Sequence, residues 1–330
     1  MNDSPRLVIL GVAHWHTERQ VAAFARAGAQ FVAVQDDDPH RGERWGRELG
    51  CPAHTDVSAA LDGVAADLVL VLSPNDDVPG VVRLLLDRGL PFAVEKPAGV
   101  SAPSLRALCD EAERLGTFTA VAFVNRYSGF WPEVDRLRGR GTITGPVAAR
   151  FRIVNGTPAR YPESGVPWVL SRQRFGGGAL RNIGAHAADS AVRLLGPQID
   201  VIGARTSSSA YGLDVEDYAV ALLSGRDGST VTIEAGYVHP NREGTDHEWS
   251  LACPGAMVVE SDSVLHVTTA QSDRDVATPD MSGRYDQFAA ETVAALREGQ
   301  PSRTPLRTAL RALDLVDRIY AASTTSPSPT

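Results

Sequence analysis

Thirty-two side chains of the 330-residue chain are Lys or Arg, and Lys96 is the only lysine among them. Where a surface simply needs a cation either residue serves, and a genome rich in G and C drifts toward arginine codons. A surviving lysine therefore marks a position that asks for a compact ammonium able to shed its proton, which a guanidinium cannot do. Lys96 stands in Glu95-Lys96-Pro97, directly after the apolar run Phe92-Ala93-Val94. A second chemistry-bearing stretch is Gly11-Val12-Ala13-His14-Trp15-His16, between the apolar Leu7-Val8-Ile9-Leu10 and a helical pattern. In the GxGxxG turn that cradles a dinucleotide, the glycines give the tight turn, the approach to the pyrophosphate and the close helix–strand packing. Only the first is present here: Ala13 adds a methyl at the second position and His16 fills the third. The strand-to-helix setting still favours an anion through free N–H groups and the helix dipole, so Gly11, Ala13, His14 and Trp15 are expected to contact a cofactor.

The second strand ends in Asp36-Asp37-Asp38-Pro39, with Arg41 beyond. An acidic residue about 20 residues past the loop holds ribose hydroxyls and repels a 2′-phosphate. Asp36 and Asp37 thus point to NAD, with NADP disfavoured. The other role open to Asp37 and Asp38 is capping the helix that starts near Pro39. His14 and His16 invite a metal reading, but the pair lies at a turn with no third ligand in the nearby sequence. No metal is expected, and contact with cofactor phosphates or packing is the alternative.

Positioning these groups requires alternating strands and helices. Apolar runs at 7–10, 31–34, 68–72, 92–94 and 119–123 alternate with helical periodicity at 17–28, 39–49, 78–89 and 101–116, the pattern of a parallel sheet covered on both faces. Beyond Asn125 the rhythm changes to successive strands at 147–154, 199–206, 216–224, 230–238, 247–252 and 256–260, with turns such as Gly225-Arg226-Asp227-Gly228, which read as an antiparallel sheet. Helices are expected at 177–195, 285–298 and 305–322. The fold class is α/β: a doubly wound parallel sheet of Rossmann type over 1–124, then an α+β domain with an open, mainly antiparallel sheet over 125–322. The last helix could pack back on the first domain, and the Ser/Thr/Pro-rich tail 323–330 is expected to be disordered.

Composition narrows the class further. A formal net charge of −8 without a basic block argues against sequence-independent nucleic-acid binding. No apolar run reaches the length of a membrane span, and Met1 to Arg6 has no signal-peptide pattern, so a cytoplasmic protein is expected. Cys51, Cys109 and Cys253 are odd in number and widely spaced, which indicates neither a disulfide framework nor a zinc site.

Ser73-Pro74-Asn75, Glu95-Lys96-Pro97, the Ala122 to Tyr127 segment and the block from Gly176-Gly177-Gly178 through Asn182 to His186 and Asp189 together resemble the glucose–fructose oxidoreductase, inositol dehydrogenase and MocA family over nearly the whole chain. The resemblance implies an NAD(P)-dependent oxidoreductase acting on a secondary alcohol of a sugar, inositol or related polyol. It implies cofactor contacts from Asp36 to Arg41, from Ser73, Pro74 and Asn75, and from Glu95 and Lys96. Lys96 would hydrogen-bond the substrate hydroxyl, and His186 would be the general base. Asn182, four residues before His186, can face the same cleft, although the family usually has an aspartate there and often a histidine at the position of Val78. Trp168, Arg126, Tyr127 and Arg181 are further candidate substrate contacts, whereas Tyr161 and Trp249 carry no argument beyond being aromatic. A homodimer or homotetramer is expected by the same resemblance. Two rival readings are a ligand sensor or scaffold that keeps the fold, and an NAD-dependent glycoside-cleaving enzyme, which would need a further acid or base near the site.

Overall fold

The computed structural model describes residues 4–325. Its first half is a six-stranded, wholly parallel sheet in the order β3-β2-β1-β4-β5-β6. In chain order the elements are β1 (Arg6–Leu10), α1 (Thr17–Arg26), β2 (Gln30–Gln35), α2 (Pro39–Leu49), β3 (Ala53–His54), α3 (Val57–Asp62), β4 (Leu68–Val71), α4 (Val78–Asp87), β5 (Phe92–Val94), α5 (Ala102–Leu115) and β6 (Thr119–Val121). The central strands are buried along their whole length because helices cover both faces, so they read as unbroken apolar runs. The strand order reverses between β1 and β4, and a doubly wound sheet opens its ligand crevice there, at the carboxyl ends of the strands. The β1–α1 loop, Ser73 and Lys96 all leave strands at that edge. Gly11 is fixed by this geometry: it sits at φ +80°, and a Cβ on it would lie 2.8 Å from the Ser73 backbone.

The second half contains α6 (Phe130–Gly139), β7 (Ala148–Asn155), the single turns α7 (Arg160–Glu163) and α8 (Arg172–Phe175), α9 (Ala179–Asn182), α10 (Gly184–Leu195), and β8 (Ile199–Ser207), β9 (Tyr218–Gly225), β10 (Thr230–Gly236), β11 (Thr245–Cys253), β12 (Ala256–Ser261), β13 (Val264–Thr269) and β14 (Ser272–Ala277). They are followed by α11 (Met281–Glu298), α12 (Leu306–Ala322) and β15 (Ser323–Thr325). The nine-stranded sheet runs β14-β13-β12-β11-β7-β10-β9-β8-β15 and is antiparallel except for the β7–β10 and β8–β15 pairs.

Several expectations need correction. The helix read over 177–195 is broken at Ile183 into α9 and α10, and it starts late because Gly178 is pressed against Glu216: a Cβ there would lie 2.0 Å from the Glu216 carbonyl oxygen. The Glu216 carboxylate accepts the N–H groups of Gly178 and Leu180 and so caps the turn. Strands β13 and β14 are not legible in the sequence, β13 being exposed along one face and β14 having no buried residue at all. The helix expected from 285 begins at Met281, capped by Asp280. Placed with the second domain by sequence order, it instead packs on α1, where Tyr285, Phe288, Ala289 and Val293 share a core with Phe24 and Tyr127. The tail begins with an ordered strand, because Ser323–Thr325 pairs with Ala204–Thr206; residues 326–330 lie outside those described. Helix α12 packs against α10 and α5 and so ties the two halves together.

Candidate active site

Lys96 leaves β5 at the switch-point edge and is 2% exposed. The Lys96–Pro97 peptide bond is cis. Its Nζ donates to both the backbone oxygen (3.0 Å) and the Oδ1 (2.9 Å) of Asn182 at the end of α9. The Asn182 amide is itself pinned, its Nδ2 donating to the hydroxyls of Tyr161 (2.8 Å) and Tyr237 (3.0 Å). The Asn182 side chain thus lines the cleft, as its spacing from His186 led one to expect, with its amide hydrogen-bonded to Lys96, Tyr161 and Tyr237 so that it orients the lysine. One turn on, His186 lies in the same cleft, its Nδ1 buried without a partner. Burial, then the charge of Lys96, hold its pKa well below the usual histidine value, so the ring is neutral at pH 7. Burial likewise lowers the Lys96 pKa to about 8, against the opposing pull of Glu95.

Glu95 points away from the cleft, where Oε1 accepts from Gln20 Nε2 (2.7 Å) and lies 3.2 Å from His16 Nδ1 and 3.3 Å from the Tyr285 hydroxyl. Oε2 accepts the Lys96 N–H. Burial opposes its charge, but His16, His14 and Lys96 outweigh that and keep it ionised. Glu95 is also the third group that the sequence did not provide for the histidine pair: ligand atoms of His14, His16 and Glu95 lie within 4.8 Å of one another. Hydrogen bonds already occupy this cluster, since His14 Nδ1 accepts the His16 N–H and the Tyr285 hydroxyl lies 2.8 Å from His16 Nδ1. His14 stacks on Trp15 at 3.8 Å, and Trp15 contacts Tyr161 and brings its ring centroid 5.8 Å from Lys96 Nζ.

The cleft around Lys96 and His186 has a volume of about 500 Å³, with walls that include Trp15, Arg19, Asn125, Tyr161, His247 and Tyr285. Asn125 belongs to the Ala122 to Tyr127 segment already singled out, whereas Arg19, His247 and Tyr285 come from three separate elements with no shared spacing and no motif to mark them. Trp168 lies behind Trp15, packed on it, His14 and Phe175. Three expected substrate contacts fall elsewhere. Arg126 makes a two-pronged ion pair with Asp189 at 2.7 and 2.6 Å, Tyr127 is core with Arg303 over its ring, and Arg181 is buried against Asp317 and Tyr320. Arg126 spends both prongs of its fork on Asp189, and Arg181, though only its Nη2 is paired, is buried away from the walls of the Lys96 cleft.

A second groove of about 580 Å³ runs over the start of α1, lined by Val12, Ala13, His14, Trp15, His40, Arg41 and Arg44. Asp36 lies beneath it rather than in its wall. Its Oδ2 accepts the Val12 N–H (2.8 Å) and its Oδ1 accepts the Asp38 N–H (3.0 Å) and Arg41 Nε (2.9 Å), so it ties the loop to the end of β2. Asp38 caps α2, and Asp37 is exposed, its carboxylate accepting from Gln35. Ser73 and Asn75 are buried below the loop, Asn75 Nδ2 without a partner, and Pro74 accepts the N–H groups of Asp77 and Val78. The cationic groove at a helix N-terminus fits the phosphates of a dinucleotide.

Residues 6–123 match the oxidoreductase family with an NAD-binding Rossmann fold, and residues 132–259 match the GFO/IDH/MocA C-terminal domain. The chain belongs to the GFO/IDH/MocA oxidoreductase family. Inositol 2-dehydrogenase of Streptomyces avermitilis is 30% identical over 314 residues, covering 89% of this chain and 84% of that one. The NADP-dependent D-xylose 1-dehydrogenase 2 of Haloferax volcanii is 25% identical over 96% of this chain and 97% of its own. Among solved structures, the WlbA dehydrogenase from Bordetella pertussis in complex with NADH and UDP-GlcNAcA shares the fold with a TM-score of 0.85 at 18% identity, covering 97% of this chain and 95% of that one. An oxidoreductase from Agrobacterium radiobacter, in complex with NAD+, L-tartaric acid and magnesium, has a TM-score of 0.84 at 19% identity, covering 97% of this chain and 96% of that one. This GFO/IDH/MocA protein is thus an oxidoreductase whose first domain is an NAD-binding Rossmann fold. Among the described residues no helix is long and apolar enough to cross a membrane.

Proposed function

We propose that the protein oxidises, or in reverse forms, a secondary alcohol of a sugar, inositol or related polyol, with Lys96 and His186 moving the hydroxyl proton. The observation that carries this reading is the Lys96–Asn182 pair. A neutral lysine has two N–H groups and one lone pair. Asn182 takes both N–H groups, so the lone pair is left to face the cleft as a proton acceptor. Bound in the groove over α1, NAD supplies the hydride acceptor. The hydroxyl O–H bond breaks as the hydride leaves the same carbon, and the proton comes to rest on Lys96. His186, with the lower proton affinity, orients the hydroxyl through a free ring nitrogen and can relay its proton. That its relatives include an inositol dehydrogenase and a xylose dehydrogenase supports a polyol or sugar. Assembly into a homodimer or homotetramer through the outer face of the nine-stranded sheet belongs to the same proposal and is tested by light scattering.

The test is NAD and NADP binding by calorimetry, then a panel of inositols, aldoses and glycosides followed at 340 nm. Absorbance growth with NAD supports the proposal, and a flat trace throughout overturns it. One observation favours a second reading. Tyr285 and His16 line the cleft and are hydrogen-bonded to each other and to Glu95 behind them, a group able to pass a proton of the kind a transiently oxidising glycoside-cleaving enzyme needs. Release of nitrophenol from nitrophenyl glycosides that depends on NAD, without net NADH, would select it.

A further inference from the structure

Two arginines on the walls of the Lys96 cleft have no part in the proton chemistry. Arg19 comes from the first turn of α1 in the first domain and Arg160 from α7 in the second, and both line the cavity. Lys96 is buried, Arg160 half-buried and Arg19 exposed, so positive charge extends from the reacting end of the cleft toward solvent. Both guanidinium groups are placed by the cleft side chains they act on. The Arg160 Cζ lies 5.3 Å from the ring centre of Tyr161, the residue whose hydroxyl holds the Asn182 amide. Burial and the Glu95 charge raise the Tyr285 pKa, and Arg19 is the cation that opposes them.

Solvent-accessible arginines elsewhere, such as Arg26, Arg174 and Arg303, are held by Asp286, Asp76 and Glu291. Among the described residues neither Arg19 nor Arg160 is paired with a carboxylate. Two carboxylates do share the cleft. Glu243 is bound by Arg242 at 3.4 Å, and Glu18 precedes Arg19 on α1, where adjacent side chains do not face each other. Burial lowers the pKa values of His16, His186 and His247, so those rings add no charge. A cationic cleft in a chain of net charge −8 concentrates anions, and an unpaired guanidinium recognises a carboxylate or phosphate through its planar fork. The dinucleotide phosphates have cations of their own: Arg41 and Arg44 line the groove over α1, and neither Arg19 nor Arg160 belongs to its walls.

We infer that the substrate is an anionic sugar or polyol, whose carboxylate or phosphate is held by Arg19 and Arg160 while its reacting hydroxyl lies at Lys96. The inference rests on the oxidoreductase reading for the reacting hydroxyl, but binding alone tests it. Calorimetry with NADH present would compare methyl β-D-glucuronide with methyl β-D-glucopyranoside, and D-glucose 6-phosphate with D-glucose, in the wild type, Arg19→Gln and Arg160→Gln. At least one anion should bind the wild type about tenfold more tightly than its neutral twin, and which one does so separates a sugar acid from a sugar phosphate. Each substitution should remove most of that preference, salt at about 0.5 M should reduce it, and NADH affinity should be unchanged. Equal binding of both anions and their twins overturns the inference, as does a preference that survives both substitutions or a wild type that binds none of these probes. An NADH affinity that falls in step with that of the anion also overturns it, because the arginines would then serve the cofactor phosphates. Anion preference without any turnover supports the inference and overturns only the oxidoreductase reading, whereas oxidation of neutral polyols with no anion preference does the reverse.

Discussion

Asn182 receives two hydrogen bonds from the Nζ of Lys96, one on its side-chain oxygen and one on its backbone oxygen. Because Tyr161 and Tyr237 immobilise the same amide, the lysine has one direction left for its third substituent, and that direction is the cleft. An aspartate at this position would orient Lys96 equally well but would also stabilise its charge. The asparagine keeps the geometry and leaves the proton easier to lose.

Lys96→Arg should lower kcat by at least about 100-fold, because a guanidinium cannot give up a proton at working pH. Lys96→Ala should abolish turnover. Circular dichroism and NAD binding should show both variants folded. Near-normal kcat in either would remove Lys96 from the proton-transfer role.

The rate of alcohol oxidation should rise with pH through an inflection near 8, as Lys96 loses its proton. A carboxylate beside an ammonium favours the charged form, so Asn182→Asp should move the inflection upward, to more alkaline pH. Rate profiles that coincide for the two proteins would contradict this.

Glu95→Gln acts in the opposite sense. The Glu95 charge raises the Lys96 pKa, so its removal should shift the same inflection below 8. The new amide would also face donors from Gln20, Tyr285 and the Lys96 backbone, with a cost of about 1–3 kcal/mol measurable by urea unfolding. Unaltered stability would mean that the buried network is not formed in solution.

Asp189→Ala should destabilise the protein by about 3–5 kcal/mol, because it strands the Arg126 guanidinium in a largely buried setting. KM for any substrate should stay within about twofold at a temperature where the variant is folded, since Arg126 lies outside the Lys96 cleft. A large KM effect without loss of stability would return Arg126 to the substrate site.

The parallel sheet was legible in the sequence because burial on both faces forces unbroken apolar strands, and the switch-point loop, Asp36 and Lys96 could be placed on its edge from strand order alone. The lone lysine and the Asn182-to-His186 spacing named the centre of the site, since helix periodicity puts residues four apart on one face. Directions of side chains were not legible. Arg126, Tyr127 and Arg181 sit beside motif residues in the chain, yet they turn to Asp189, Arg303 and Asp317, partners 63, 176 and 136 residues away in sequence. Asp36 faces inward because the loop needs its two oxygens for backbone N–H groups. Tyr285 and His247 reach the cleft through the packing of α11 on α1 and the register of β11 on β7, long-range contacts that no local pattern encodes. Sequence alone determined which chemistry is present and on which edge it lies. Tertiary packing decided which groups face the cleft and, through burial and neighbouring charges, which of them can hold a proton there.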